Sequence, residues 1–421
     1  MGGDSLPIEF SAGIGQFGEI VFNFAEIEFN QNSFFISISM QDESSYFKEF
    51  ILTGKSDDGT KFKTEHLYFN SIGHNSNRKL KLSAHCSEAF FFLKFPEPVT
   101  HPLIRLHLKG FQNFRQLKAR CELGTVTMDG DGSIHNHNII TGYLSLVQKN
   151  ESVDFSEWRT KAEKLLEHVR KVMSFATASS LQTPVIEYHN RDNLEVVVWS
   201  QTEQHQSFLR TFHHLHLQPI FEVAIESFFN PPVEVKNLHF TIEWFSMSAT
   251  YNEVRLVAAM TALENLVSSN LDDTEIFIRP EKEFDKIRKE LRKVIKKCLE
   301  KWSLEEKGKI SNEIVPELNE KLIDLNRTTI FRKIKFLANQ WGVPFDGISD
   351  VEIRAAKKAR DLIIHRGYYY EEGNNYQDDL WKHVTIIREI LVRFILTAIG
   401  YEGDYISYFG GAHQAKFFPK R

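Results

Sequence analysis

The stretch of this 421-residue chain richest in reactive chemistry runs from Ala356 to Tyr370, AKKARDLIIHRGYYY. Arg360 and His365 stand five residues apart, just ahead of Gly367. An imidazole takes up or releases a proton near neutral pH. A guanidinium stays charged and offers a planar fork of donors to phosphate oxygens. Together they supply proton transfer and a clamp for charge developing on a phosphate, and charge stabilisation of that kind is usually the largest single catalytic contribution. His365 is therefore the expected proton-transfer residue and Arg360 the expected phosphate clamp. Five residues on an ideal α-helix turn through about 140°, so the two would not touch on one regular helix. A loosened last turn before Gly367, or a second copy of the helix across a dimer axis, would bring them together. A plain structural reading stands beside this one, because cations near a helix C-terminus suit the negative end of its dipole. Arg366 either extends a cationic, RNA-binding surface or caps the helix end.

The segment Arg360-Asp361-Leu362-Ile363-Ile364-His365 resembles the R-x4-H motif of HEPN ribonucleases, with a polar residue directly after the Arg. Met260 to Leu266, MTALENL, resembles the ALE-containing opening helix of HEPN domains in ApeA-type abortive-infection proteins. Those proteins carry a β-rich region ahead of a C-terminal HEPN domain, and the likeness in domain order covers essentially the whole chain. The resemblance implies a metal-independent endoribonuclease, active as a homodimer and without a cofactor. It also implies a toxin of antiviral defence that cuts tRNA or another exposed RNA loop, under a phage-derived trigger or inhibitor. RNA can be cut by its own 2′-hydroxyl, a path that needs a proton acceptor, a proton donor and a cation at the phosphate. The implied products are a 2′,3′-cyclic phosphate and a 5′-hydroxyl. Asp361 would orient one of the pair. Glu264 and Asn265 would lend polar support from the opening helix, although Glu264 equally fits a solvated position opposite the stripe of Leu256, Met260, Leu263 and Val267. Two other readings remain: a non-catalytic dimeric HEPN interaction module with a ligand-binding β domain, and a carbohydrate-binding β domain on a helical scaffold.

Tyr368, Tyr369 and Tyr370 follow the motif directly, either to stack unpaired bases or to pack the loop on the bundle. Glu281 to Lys301 is the densest charge run, with nine Lys/Arg against five Asp/Glu. Its apolar positions form one stripe, as in an amphipathic helix, while Lys289, Arg292, Lys293, Lys296 and Lys297 offer a phosphate-tracking RNA surface. Neither His135 with His137 nor His213, His214 and His216 is joined by Cys or carboxylate in a metal-site pattern. Asp129 to Gly132, DGDG, lacks the rest of a calcium loop and reads as turn. No P-loop occurs, and Gly13 to Gly18 reads as turn material. No metal and no nucleotide cofactor is expected.

These residues need elements to position them. To about residue 145 the chain alternates apolar and polar residues in short runs, as in 20–29, 33–40, 61–69, 90–95 and 102–108, with breaks such as Asp58-Gly59 and Asn75-Ser76. That pattern predicts an antiparallel sandwich or barrel-like domain over 1–150. A mixed α/β segment, 151–240, would close it: a helix at 154–178, a hairpin at 184–199 turning at Asn190 to Asn193, and a helical stretch from about 205 to 229. From residue 245 to 421 the period is helical. Helices are expected at 251–269, 280–302, 311–325, 327–341, 349–365 and 378–400, an all-α bundle ending in an aromatic tail that docks on the body or self-associates. The fold class is thus α+β.

Apolar content of 42% and charged content of 25% exclude wholesale disorder and a membrane bundle. Three scattered cysteines make no disulfide framework, and no signal peptide or membrane span is seen, so a cytoplasmic protein is expected. The net charge of −5 argues against a general nucleic-acid coat. It is uneven, however: from residue 245 onward there are 29 Lys/Arg against 27 Asp/Glu, leaving 22 against 29 before it.

Overall fold

The computed structural model of the chain describes residues 8–14, 20–28, 50–74, 79–95, 99–133, 136, 138–149, 154–200, 209–305, 314–370 and 376–419. The expected strand at 33–40, the Asn75-Ser76 turn, Gly15 to Gly18, His135 and His137 lie outside the described residues. The chain divides into two compact units, Met1–Asn230 and Pro231–Arg421.

Among the described residues, the first unit is built on one antiparallel sheet of 13 strands. Its strands are β1 (Phe10–Ile14), β2 (Ile20–Phe24), β3 (Ile27–Glu28), β4 (Phe50–Lys55), β5 (Lys61–His74), β6 (Lys79–Cys86), β7 (Glu88–Lys94), β8 (Leu103–Lys109), β9 (Leu117–Cys121), β10 (Gly124–Gly130), β11 (Ile140–Gln148), β12 (Gln182–Asn190) and β13 (Asn193–Trp199). The order is β1-β2-β6-β5-β7-β13-β12-β8-β11-β10-β9, with β3 on β6 and β4 on β5. The sheet is not a closed barrel, which corrects the barrel-like expectation: β1 and β9 end the order, and among the described residues no ladder joins them. Alternation along a strand fixes which residues face a core but not whether the last strand meets the first.

Two buried regions lie on this sheet. On β1 to β7, Phe22, Phe24, Phe62, Leu67, Leu82 and Ala84 form a core edged by Phe10, Phe50, Phe69 and Phe91, with the Phe22 and Phe62 rings 5.5 Å apart. On β8 and β11, Ile104, Leu106, Leu108, Leu144 and Leu146 are buried, and helix α1 (Phe155–Thr177) packs across these two strands. Asp154 caps α1 by accepting from the Ser156 and Glu157 N–H groups at 3.0 and 3.3 Å. Trp158, Leu165, Leu166, Val169 and Val172 make its buried stripe. The β12–β13 hairpin turns at Arg191-Asp192, with Arg191 at φ 54°. Helix α2 (Gln218–Phe229) starts later than the expected 205, after a 3₁₀ turn at His214–His216. Pro219 sits in its first turn and restricts the residue before it. The Gln218 amide donates to Lys118 O (2.9 Å) and accepts from Lys118 N–H (3.3 Å), covering the β9 edge.

The second unit holds α3 (Leu238–Ser246), α4 (Asn252–Ser269), a short α5 (Asp273–Ile276), α6 (Glu281–Glu305), α7 (Ile314–Asp324), α8 (Ile330–Trp341), α9 (Asp350–Arg366) and α10 (Tyr376–Ile399), then the hairpin β14 (Gly403–Ser407) and β15 (His413–Phe417). Helices α3, α8, α9 and α10 pack around α4. Helix α3 falls in a stretch that the sequence reading left unassigned; its apolar face reads as well for a strand as for one short helix. The aromatic tail folds back: buried Glu389 of α10 accepts hydrogen bonds from the Tyr405 and Ser407 hydroxyls, the latter at 2.8 Å. No helix among the described residues is long and apolar enough to cross a membrane.

Candidate functional site

Helix α9 presents Arg360 because both its ends are fixed. Ser349 and Glu352 form a capping box, the Ser349 hydroxyl accepting from Glu352 N–H and the Glu352 carboxylate accepting from Ser349 N–H at 3.0 Å. Gly367, at φ 82°, closes the helix, and its N–H donates to Ile363 O at 2.8 Å. Ile353, Ala356, Ala359 and Ile363 are buried, so two small alanines face the neighbouring helices. Arg360 stands at the margin of this stripe, beside α4.

There its guanidinium meets Glu264. One terminal nitrogen donates to Glu264 Oε2 at 2.6 Å and the other to Asp361 Oδ1 at 3.2 Å. Asp361 also accepts from the Lys357 ammonium. Arg360 Nε is buried and has no hydrogen-bond partner among the described residues. The side chains of Arg360, Glu264 and Asp361 keep 22%, 32% and 32% exposure, so the cluster is half-buried but open to solvent. Lys333 on α8 lies within electrostatic reach of Glu264. Burial and the nearby Arg327 lower its pKa, while Glu264 pulls it back up.

The structure thus brings Arg360, Asp361 and Glu264 together and adds Lys357 and Lys333, which sequence reading missed. Lys357 was findable, four residues from Asp361 on one helix; Lys333 comes from another helix and left no signal in the sequence. Two expected residues stand apart. Asn265 points to α3, where the Thr241 hydroxyl donates to its Oδ1 at 3.4 Å. His365 is exposed in the last turn of α9, and the Arg360 hydrogen bonds go to the carboxylates and not to it. That agrees with the rotation of a regular helix: the last turn does not loosen. Arg366 is exposed beside it. The tyrosines divide. Tyr369 is 5% exposed and meets the His383 ring edge-on, whereas Tyr368 and Tyr370 are 57% and 53% exposed.

Lys289, Arg292, Lys293, Lys296 and Lys297 all lie exposed on α6. That helix packs on α7, while α9 packs on α4 and α10. Lys293 donates to Glu290 at 2.7 Å, an i,i+3 pair typical of a solvated face.

Among the described residues no group of three His, Cys, Asp or Glu could hold a metal ion. The His213 and His214 rings are 4.2 Å apart, and His213 Nδ1 accepts from Leu215 N–H. Asp131 accepts from Ser133 N–H at 2.8 Å, the turn chemistry expected of DGDG. Sequence reading also missed a cluster in the sheet. Glu187 on β12 lies 2.9 Å from His107 Nε2, 3.1 Å from His189 Nε2 and 3.5 Å from Arg105. The His107 imidazole beside it and the hydrogen-bonded His189 imidazole hold its carboxyl well below the usual range, against a smaller opposing effect of burial. Strand register across β8 and β12 makes this cluster, and no local motif announces it.

No family model, no curated protein and no solved structure matches the chain.

Proposed function

We propose that the chain is a metal-independent, HEPN-type endoribonuclease that works as a homodimer in the cytoplasm, in anti-phage abortive infection. The carrying observation is the clamp: Arg360 is held at 2.6 Å by Glu264 from a second helix, on a half-open surface five residues before an exposed His365. A guanidinium fixed this way keeps a second N–H on each terminal nitrogen that it can direct at a phosphate. His365 takes the proton of the RNA 2′-hydroxyl as that oxygen attacks phosphorus. The bond to the 5′-oxygen then breaks, and that oxygen takes a proton from a protonated imidazole, which the second copy supplies in a dimer. Arg360 stabilises the extra charge on the phosphorane. Exposed Tyr368 and the α6 cations are the contacts for a single-stranded loop, such as that of tRNA.

The test is cleavage of total RNA by the purified chain in EDTA, reading 2′,3′-cyclic phosphate ends. Wild type produces them; His365→Ala, an exposed substitution that leaves the fold intact, does not. A His365→Ala protein that cuts like wild type sinks the assignment.

The second reading is a non-catalytic dimeric module. One observation favours it: Arg360 is already charge-compensated by Glu264 and Asp361, as in a structural ion network. Absence of cyclic-phosphate ends from wild type and His365→Ala alike would select it.

A further inference from the structure

Helix α6 has two apolar edges. Phe284, Leu291, Ile295 and Leu299 follow one; Phe284 is buried and the others are half-buried. The second runs through Ile287, Leu291, Val294 and Cys298, a 4-3-4 spacing that keeps the 3.5-residue period of a coiled-coil seam. On it Ile287 is 46% and Val294 56% exposed, and Cys298 is exposed too. Water is a poor environment for such a periodic row, so it calls for an occupant.

We propose that this edge of α6 packs antiparallel against the same edge of α6 in a second copy of the chain, with Leu291 opposite Val294 and Ile287 opposite Cys298. The charges choose both partner and direction. Glu290 and Lys297 are seven residues apart and flank the seam on the same side. Antiparallel pairing sets Glu290 of each copy, which already accepts from its own Lys293 at 2.7 Å, beside Lys297 of the other, so each carboxylate lies between two cations, a complementary contact made twice by the two-fold axis. Parallel pairing would instead place like halves together, and residues 292–305 carry five Lys/Arg against two Glu, while 281–291 carry four of each sign. An RNA or an anionic lipid surface would meet Glu290 at the border of the strip, a like charge against phosphate. In the antiparallel pair Lys289, Lys293 and Lys296 lie off the seam and stay exposed. The inference does not depend on the nuclease reading.

Disulfide trapping of the full-length chain under copper–phenanthroline oxidation tests it. In the antiparallel pair the two Cys298 residues lie about 16 Å apart along the axis, so wild type forms little disulfide dimer. I287C places a thiol opposite Cys298 of the other copy and shifts the chain to twice its mass on non-reducing gels. I287C/C298S loses that band. Ile287 is exposed, so the substitution leaves the bundle intact. The proposal is overturned if wild type links through Cys298 as readily as I287C, if I287C gives no dimer, or if the band persists in I287C/C298S. Loss of RNA or anionic-vesicle binding in I287E/V294E, with no I287C dimer, would assign the strip to that partner and equally overturn it.

Discussion

Arg360 donates from one terminal nitrogen to Glu264 and from the other to Asp361, so a phosphate that reaches it competes with two carboxylates already in place. The planar fork matters here as much as the charge. Arg360→Lys keeps the charge but cannot span both partners. If the proposed ribonuclease activity holds, initial rates of RNA cleavage should fall about 100-fold in this variant, the loss typical of a misplaced catalytic group. A lysine variant with wild-type rates would reduce Arg360 to a point charge. Glu187 gives a different residue-level expectation. Its folded pKa is depressed below 4.5. Its contribution to stability is therefore complete above that value and fades as pH falls below it. Urea unfolding between pH 3 and 6 should show a shallower acid loss in Glu187→Gln than in wild type, and parallel curves would remove the linkage. The motif residues could be singled out from the sequence because of their chemistry, a proton carrier and a fixed cation ahead of a helix-ending glycine. Glu264 was visible only as polar support from the opening helix, not as the partner of Arg360, and Lys333 and the Glu187 cluster were not visible at all.

At the level of elements, helix α9 depends on its two ends. Removing the Ser349 cap by Ser349→Ala should cost about 1 kcal/mol, read as a lower urea midpoint with unchanged slope. Gly367 occupies a left-handed conformation with open space where a Cβ would stand. Gly367→Ala is thus strained by the backbone alone, about 1 kcal/mol. A stabilised Gly367→Ala protein would mean that the cap is not left-handed in solution. The strong helical periods of α4, α6, α9 and α10 placed those elements within a few residues of where they lie. Helix α2 was placed badly because its aromatic and His residues continue an apolar pattern through a 3₁₀ turn. The tail hairpin escaped notice because its partner is Glu389, a buried acid on another element.

For the whole molecule, the two units have cores of their own: a phenylalanine cluster and a helix-covered sheet in Met1–Asn230, and a bundle around α4 in Pro231–Arg421. A fragment of residues 1–230 should unfold cooperatively by itself, with a sigmoidal thermal transition followed by circular dichroism. A gradual, featureless melt would show that it needs the helical unit.

The sequence by itself determined the α+β class and the change of period near residue 250, and singled out Arg360 and His365 as candidates, because periodicity and residue chemistry are local properties. Only the tertiary structure decided that the sheet stays open, that Asn265 serves α3, and that Arg360 rests between carboxylates while His365 faces solvent. Those outcomes depend on strand closure and on which helix faces pack together. Many distant residues set them jointly through burial and register.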